Sequence, residues 1–448
     1  MKFIIEQGEE LLSTHAGLGL VGMVLAKTAV RQKLDVLDSF AIMKKRGVSS
    51  ADCVSAMVGL MSIGKPDFDA VEEFRGEHFF KMSLGLGKTP SSPTLRQRLG
   101  KLAGKTGSLL AEESAKLLRT AGARIGPCHT LRTVDGREEE LLALDVDVSP
   151  FDNSQTKKEG VSRTYKGCDG YAPIFAYLGA EGWLLGAELR EGKQHCQNGT
   201  EDFLRTSLKN ARLATDKPIL VRLDSGNDSA GNIRVCAEQG AHWLIKRNLR
   251  NEDPAHWLSL AKQEGELTQP RDGKKVWYGE TYVKIPACEQ PARIVYEVTQ
   301  REFDAQRQLL LMPEQSVDVN TWWTSLEEAP EVVAKLYREH GTSEQFHSEL
   351  KSDMDLERLP SGNFATNTLV LEVGMLTYNI LRLIGQEGLS TKEAPIRKNV
   401  YRRRIRSVIQ DMIYMAVKIV RHAGRIKLKF GKHNRWYNTW RGVFLKFA

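Results

Sequence analysis

The sequence predicts an α/β protein in which helices flank a mixed sheet, and two changes of pattern along the chain predict it. Up to about residue 135, apolar residues recur at three- and four-residue intervals between Gly, Pro and Ser breakers. From Glu138, short strand-like runs come first in a hairpin and then alternate with helical segments, the order expected of a mixed sheet. A stretch from about Arg250 to Ser325 returns to β character, and helical periodicity resumes at Pro330.

The elements follow in order. Leu34 to Lys45, Ser50 to Ile63, Phe68 to Gly76 and Thr94 to Leu118 carry helical spacing. The breaker cluster Thr89-Pro-Ser-Ser-Pro-Thr94 supplies a cap for the helix near Leu95. Leu141 to Ser149 reads as a strand, and Gly170 to Tyr177 with Trp183 to Leu189 as a hairpin turning at Gly179 to Gly182. A helix over Glu201 to Leu213, a strand over Pro218 to Asp224, a helix over Ala230 to Gln239 and a strand over His242 to Lys246 come next. Lys275 to Ile285, Ala292 to Thr299 and Gln308 to Met312 read as strands. Phe364 to Leu383 and Tyr401 to Val420 read as helices.

Composition bounds the class. The chain has 448 residues, 41% hydrophobic and 27% charged, and its mean hydropathy is −0.37. These are values of a globular protein with a sizeable core, not of a disordered chain. The uncharged run Leu11 to Ala26 is too short and too polar to span a bilayer. It follows Glu6, Glu9 and Glu10, so it makes a poor signal peptide. Cys53, Cys128, Cys168, Cys196, Cys236 and Cys288 lie far apart, which fits neither a zinc site nor a disulfide scaffold. A reducing, cytoplasmic compartment is expected.

Charge is unevenly spread. The formal net charge is +8, from 64 basic and 56 acidic residues. From Pro395 to the end, 15 Lys or Arg face one acid, Asp411, a balance of +14. The remainder therefore holds 49 basic and 55 acidic residues, a balance of −6. Arg397, Lys398, Arg402, Arg403, Arg404 and Arg406 begin this tail. Arg425, Lys427, Lys429, Lys432 and Arg435 then interleave with Ile426, Leu428 and Phe430, and Trp436, Tyr437 and Trp440 follow. Such a run points to a polyanionic partner, with a docking strand as the plainer alternative.

Several motifs fail. Gly85-Leu-Gly-Lys-Thr89 lacks the first Gly of a phosphate loop, because Met82 stands there, and Leu99 spoils Gly104-Lys-Thr106 in the same way. No His-Glu-x-x-His and no Gly-x-Ser-x-Gly elbow is present. The carboxylates are more informative. Alternation in Leu141 to Ser149 puts Leu142, Leu144, Val146 and Val148 on one face and Asp145, Asp147 and Ser149 on the other. Asp224 ends a strand beside Ser225-Gly226, where α/β sheets carry their chemistry. Tyr337, His340, Glu344 and Lys351 share one helical stripe, which Gly341 weakens, so that a kink or a fresh start at Thr342 is expected. Three acids of this kind suit two Mg²⁺ ions and phosphodiester displacement. Each acid alone would serve equally as a cap, a turn residue or half of an ion pair.

The chain resembles the DDE transposases of bacterial insertion sequences, in the IS4-like group and nearest the IS1380 family. Leu12-Ser-Thr-His-Ala-Gly-Leu-Gly-Leu20, Pro90-Ser-Ser-Pro-Thr-Leu95 and Leu144-Asp-Val-Asp-Val-Ser149 carry the likeness. So do Gly170-Tyr-Ala-Pro173, Leu189-Arg-Glu-Gly192, Arg222-Leu-Asp-Ser-Gly226 and the Tyr337 to Lys351 signature, in which His340 replaces an Arg and Arg338 lies close by. The resemblance implies an RNase H-like catalytic domain over 136–394 with a β-rich insertion at about 250–328. An N-terminal helical region over 1–135 and a basic helical tail over 395–448 would bind DNA. It implies Asp147, Asp224 and Glu344 as catalytic metal ligands for Mg²⁺, with Mn²⁺ as a substitute, Asp147 being chosen over Asp145 because Ser149 follows it by two. It implies DNA contacts by Tyr337, Arg338, His340, Lys351, Arg402, Arg403, Arg404 and Arg406, and stacking of Trp322 or Trp323 on a flipped base. The partners would be duplex DNA, as terminal inverted repeats and target, and a second copy of the chain in the active complex, with no membrane. A related nuclease that joins nothing, a non-cutting DNA-binding derivative and an RNA-binding module remain as alternatives.

Overall fold

The computed structural model describes residues 2–40, 47–132, 136–285, 291–303, 308–309, 316–396 and 400–448. Cys288, Arg397, Lys398, the end of the expected helix at 41–45 and positions 310–312 of the expected strand lie outside these residues.

The N-terminal third is helical. Helix α1 (Ser50–Ser62) begins at Ser49, whose hydroxyl accepts the Asp52 amide, and every one of its residues is buried. The expected single helix from Thr94 to Leu118 is two, Ser92–Leu102 and α2 (Leu109–Thr120). Gly104 and Gly107 between them sit at φ +74° and +52°, a left-handed backbone that a continuing helix excludes. Phe68–Phe74 forms a 3₁₀ turn rather than an α-helix.

The centre of the molecule is a ten-stranded sheet. Strands β1 (Glu138–Val148), β2 (Ile174–Leu178) and β3 (Trp183–Glu188) are followed by helix α3 (Thr200–Ala214), then β4 (Ile219–Leu223) and β5 (His242–Lys246). After these come β6 (Glu266–Arg271), β7 (Lys274–Val283), β8 (Ala292–Arg301) and β9 (Val317–Thr324). The spatial order is β6-β7-β8-β9-β5-β4-β1-β2-β3, and the strand His129–Arg132 pairs with the start of β1. β4 runs parallel to both β1 and β5, whereas β2 is antiparallel to β1 and to β3. The β-rich stretch extends this sheet through antiparallel pairing of β9 with β5. It is not β throughout: Pro254–Glu264, capped by Asp253 with Pro254 in the first turn, is a helix.

Alternation along β1 divides two cores. Leu142, Leu144 and Val146 enter the large core, while Leu141 joins Leu220, Leu244 and Trp322 in a second cluster closed by Val333, Ala334 and Leu336 of helix α4 (Pro330–Arg338). Asp145 and Asp147 share the face of Leu141. Beyond α4 the chain makes a 3₁₀ turn at Glu339–Thr342, restarts as the short helix α5 (Ser343–Ser348) and passes into a π-turn at Glu349–Asp353. Thr342 makes no side-chain cap bond at this restart. Helix α6 (Phe364–Ser390) packs against α1, α2 and β3. By length and composition α6 would cross a membrane, but 89% of its most apolar window is buried inside the protein, so it is the core helix of the fold.

The tail departs from expectation. In place of a helix from Tyr401 to Val420 stand a single turn at Ile405–Val408, a π-turn at Ile409–Ile413 and a hairpin of Val417–His422 with Arg425–Phe430. Val417 and Lys418 pair with Ser13 and Leu12, so a backbone ladder to the opposite end of the chain overrides the helical spacing.

Candidate active site

Three elements deliver the acids. β1 carries Asp147 at its carboxyl end, Asp224 follows the last residue of β4, and Glu344 lies in the first turn of α5. All three line one cavity of about 700 Å³, together with Ser149, Tyr165, Lys166, His347 and Lys351. Another cavity of about 800 Å³ lies between Arg119, Arg212 and Lys217, away from these acids. Its charges are largely satisfied among themselves, Arg119 by Asp216 and Lys217 by Glu140.

The two β-strand acids are electrostatically unlike. Burial pushes the Asp147 carboxyl upward, but a bond to His347 Nε2 at 3.2 Å and the Val148 amide at 2.7 Å leave it below the usual carboxylate range. Burial and then the negative charge of Asp147 push Asp224 above that range, although Asn227 donates to it at 2.8 Å. The charge of one acid is therefore felt by the other, a repulsion that a cation between them would relieve. Among the described residues, no group of three or more His, Cys, Asp or Glu side chains is drawn together closely enough to hold a metal ion. Oxygen donors on an open cavity fit Mg²⁺, which keeps several waters and takes one or two carboxylates.

Asp145 is used differently. It is 3% exposed and accepts Arg222 Nε and Nη2 at 2.5 and 2.7 Å, with His340 Nδ1 at 3.0 Å. His340 lines the cavity and commits its Nδ1 to this pair. Arg338 is engaged by Glu297 and by Tyr278 Oη at 3.3 Å. Tyr337 packs on Trp322 and His340, with ring centroids 5.7 and 5.8 Å apart.

Lys351 faces the cavity, lies 5.7 Å from the Phe151 ring centre, and burial lowers its pKa. The tryptophans do not stand ready for a base. Trp322 is 2% and Trp323 9% exposed, each packed into a hydrophobic core on its own face of the sheet. Trp322 belongs to the second core, and Trp323 donates to Asp228 at 2.9 Å under the Arg247 guanidinium.

Among the tail arginines, Arg402 and Arg403 are largely buried counter-ions, whereas Arg404 and Arg406 are half-exposed. Arg402 binds Glu349 at 2.7 Å, Arg403 pairs with Asp411 and stacks on Trp436, and Arg404 and Arg406 both meet Asp353. Arg402, Arg404 and Arg406 brace the π-turn that follows α5. The structure adds Tyr165 to the cavity and picks out His347 from the two stripe positions, 347 or 348, that helical spacing offers. His347 lies three residues after Glu344 on the same stripe, and Gly182 at φ +73° lets the neighbouring Phe346 ring seat where a Cβ would stand 2.5 Å away. Tyr165 is exposed as a whole, but its hydroxyl is part-buried where it donates to the Val148 carbonyl at 3.1 Å, and it is pushed up to about 12 by that burial and then by Asp147 and Asp224. No periodicity marks it, since it sits in the turn of a small hairpin.

Comparison with known proteins follows from this geometry. No curated protein matches the sequence. Among solved structures, a piggyBac transposase in a synaptic complex with hairpin DNA matches 91% of this chain and 82% of its own, with 9% identity and a TM-score of 0.40. The model of the family described as transposase DDE domain, group 1, matches residues 4–446, and the chain belongs to that family.

Proposed function

We propose that this transposase moves its own DNA element, nearest the IS1380 family of IS4-like bacterial insertion sequences, by cutting at terminal inverted repeats and joining the ends to a target. One observation carries the reading: acids 147, 224 and 344, remote in the chain, line one open cavity with Lys351. The order β3-β2-β1-β4-β5, with β1 parallel to β4, supports an RNase H-like catalytic core.

Asp147, Asp224 and Glu344 would hold Mg²⁺, with Mn²⁺ as a substitute. Bound divalent cations supply Lewis-acid activation of the attacking oxygen and neutralise charge on the leaving one. His347 keeps Asp147 oriented and ionised. Lys351, which lines the same cavity and is partly buried, would meet the phosphate, and its partial desolvation strengthens that attraction. Water would first attack the phosphodiester at the element's end, breaking its P–O3′ bond and leaving a 5′-phosphate and a 3′-OH; that 3′-OH would then attack a phosphodiester of the opposite strand or of the target, displacing the 3′-oxygen there. Pairing two element ends calls for at least a dimer in the active complex.

The test is cleavage of duplex carrying the element's ends in Mg²⁺. Asp147→Ala, Asp224→Ala and Glu344→Ala should each abolish cutting while end binding persists, and robust cutting by any of them overturns the assignment. Pre-cut ends then separate joining from simple hydrolysis: a nuclease that joins nothing yields no strand-transfer product.

A further inference from the structure

We infer that the hairpin Val417–His422/Arg425–Phe430 is a wing that lies along the phosphate backbone of duplex DNA. This inference rests on the DNA-acting function above. Its register sorts the side chains into two sets. Val417 opposes Phe430, Ile419 opposes Leu428 and Arg421 opposes Ile426, whereas Lys418 opposes Lys429, Val420 opposes Lys427 and His422 opposes Arg425. Val417, Ile419, Leu428 and Phe430 of the first set pack inward, with Phe430 against Tyr437 and Trp440 at 5.3 and 4.9 Å. The second set is a face on which Lys418, Arg425, Lys427 and Lys429 are all exposed.

The charge on this face is unspent. Arg425, Lys427 and Lys429 have no carboxylate within ion-pairing distance among the described residues, and Lys418 reaches only the half-exposed Glu10 at 3.5 Å. Lys418 and Lys429 stand directly across the ladder, an arrangement of like charges that destabilises a hairpin until an anion sits over it. This separates the wing from Arg402 and Arg403, which are largely buried against Glu349 and Asp411. Alternate residues of a strand stand about 6.8 Å apart, close to two base-pair rises of a duplex. The basic face carries no Phe, Tyr or Trp, so it offers no stacking platform of the kind that holds a single strand.

The experiment measures binding of the full chain to duplex DNA of arbitrary sequence, without divalent metal, from about 50 to 200 mM salt. The triple variant Arg425→Gln/Lys427→Gln/Lys429→Gln should lower the slope of log affinity against log salt by about 2.7, at about 0.9 for each phosphate left without its cation. Lys427→Gln alone should lower it by about 0.9, which keeps the test available should the triple variant not fold. An unchanged slope overturns the proposal. Tighter binding to duplex RNA, or binding to anionic vesicles with the DNA slope intact, overturns it as well. Because no metal is present, a failure of the catalytic reading appears separately: the wing variants show the slope change, yet the wild-type chain never cuts in Mg²⁺.

Discussion

The Nε2 of His347 lies 3.2 Å from an oxygen of Asp147, and its Nδ1 lies 3.2 Å from the hydroxyl of Tyr177. Burial lowers the His347 pKa, so the neutral ring is the favoured form. A neutral ring accepts from Tyr177 and donates to Asp147, which fixes the carboxylate that faces the cavity. His347→Ala should therefore raise the Mg²⁺ concentration for half-maximal cleavage about 10–100-fold. A metal titration that superimposes on wild type would remove His347 from the site.

Asp224 gives a stability prediction with a definite sign. Its pKa in the folded protein is raised by burial and by Asp147, so its charge opposes folding above that pKa and the cost fades as pH falls to the ordinary carboxylate value. Asp224→Asn should raise Tm at neutral pH, on the order of 1 °C for a chain of this size, and the advantage should vanish in acid. Asp147 has the opposite sign, its stabilisation being lost as pH falls through its lowered pKa. The wild-type minus variant difference isolates Asp224. Added Mg²⁺ should raise the Tm of the wild type more than that of the variant; equal shifts in a thermal melt would separate Asp224 from the metal.

The placing of these acids was legible in sequence: alternation puts Asp145 and Asp147 on one strand face, Asp224 ends a strand and Glu344 sits on a helical stripe, while the choice of Asp147 over Asp145 came from the family resemblance. The tail was not. Arg402 and Arg403 look like solvated charge until Glu349 and Asp411 are seen beside them, and only tertiary structure supplies Glu349. The apolar spacing of Val408, Ile409, Met412 and Ile413 runs on as if helical through Val417, yet Val417 pairs with Ser13 from the far end of the chain. Trp322 and Trp323 carry aromatic surface that suits a base or a core equally, and the packing on the two faces of β9 puts them in the cores.

Asp145 and Arg222 form a buried, bidentate pair. Arg222 also ties the end of α4 to the sheet through the Leu336 carbonyl at 2.6 Å. Breaking one side of such a pair strands a charge, so Arg222→Met should destabilise by about 3–5 kcal/mol. Asp145→Leu/Arg222→Met should recover most of that loss in urea unfolding. A double variant no more stable than the single would mean that the pair is not what holds this region.

Glu349 separates the bracing arginines from the wing. It is 1% exposed and accepts from Tyr378 at 3.0 Å, from Arg402 at 2.7 Å and from Arg382, which is itself buried. Without its carboxylate, Arg382 keeps only Tyr378 and the Arg403 carbonyl as partners. Glu349→Gln should cost about 3–5 kcal/mol. The loosened π-turn at Glu349–Asp353 lies directly after α5, so cleavage should fall with the loss of fold. Arg402→Gln should act in the same direction but more weakly, since Arg382 still neutralises Glu349. Neither variant should change the salt dependence of DNA binding, because neither removes a cation that faces solvent without a partner. A slope reduced by Arg402→Gln as far as by Lys427→Gln would instead put Arg402 on the DNA.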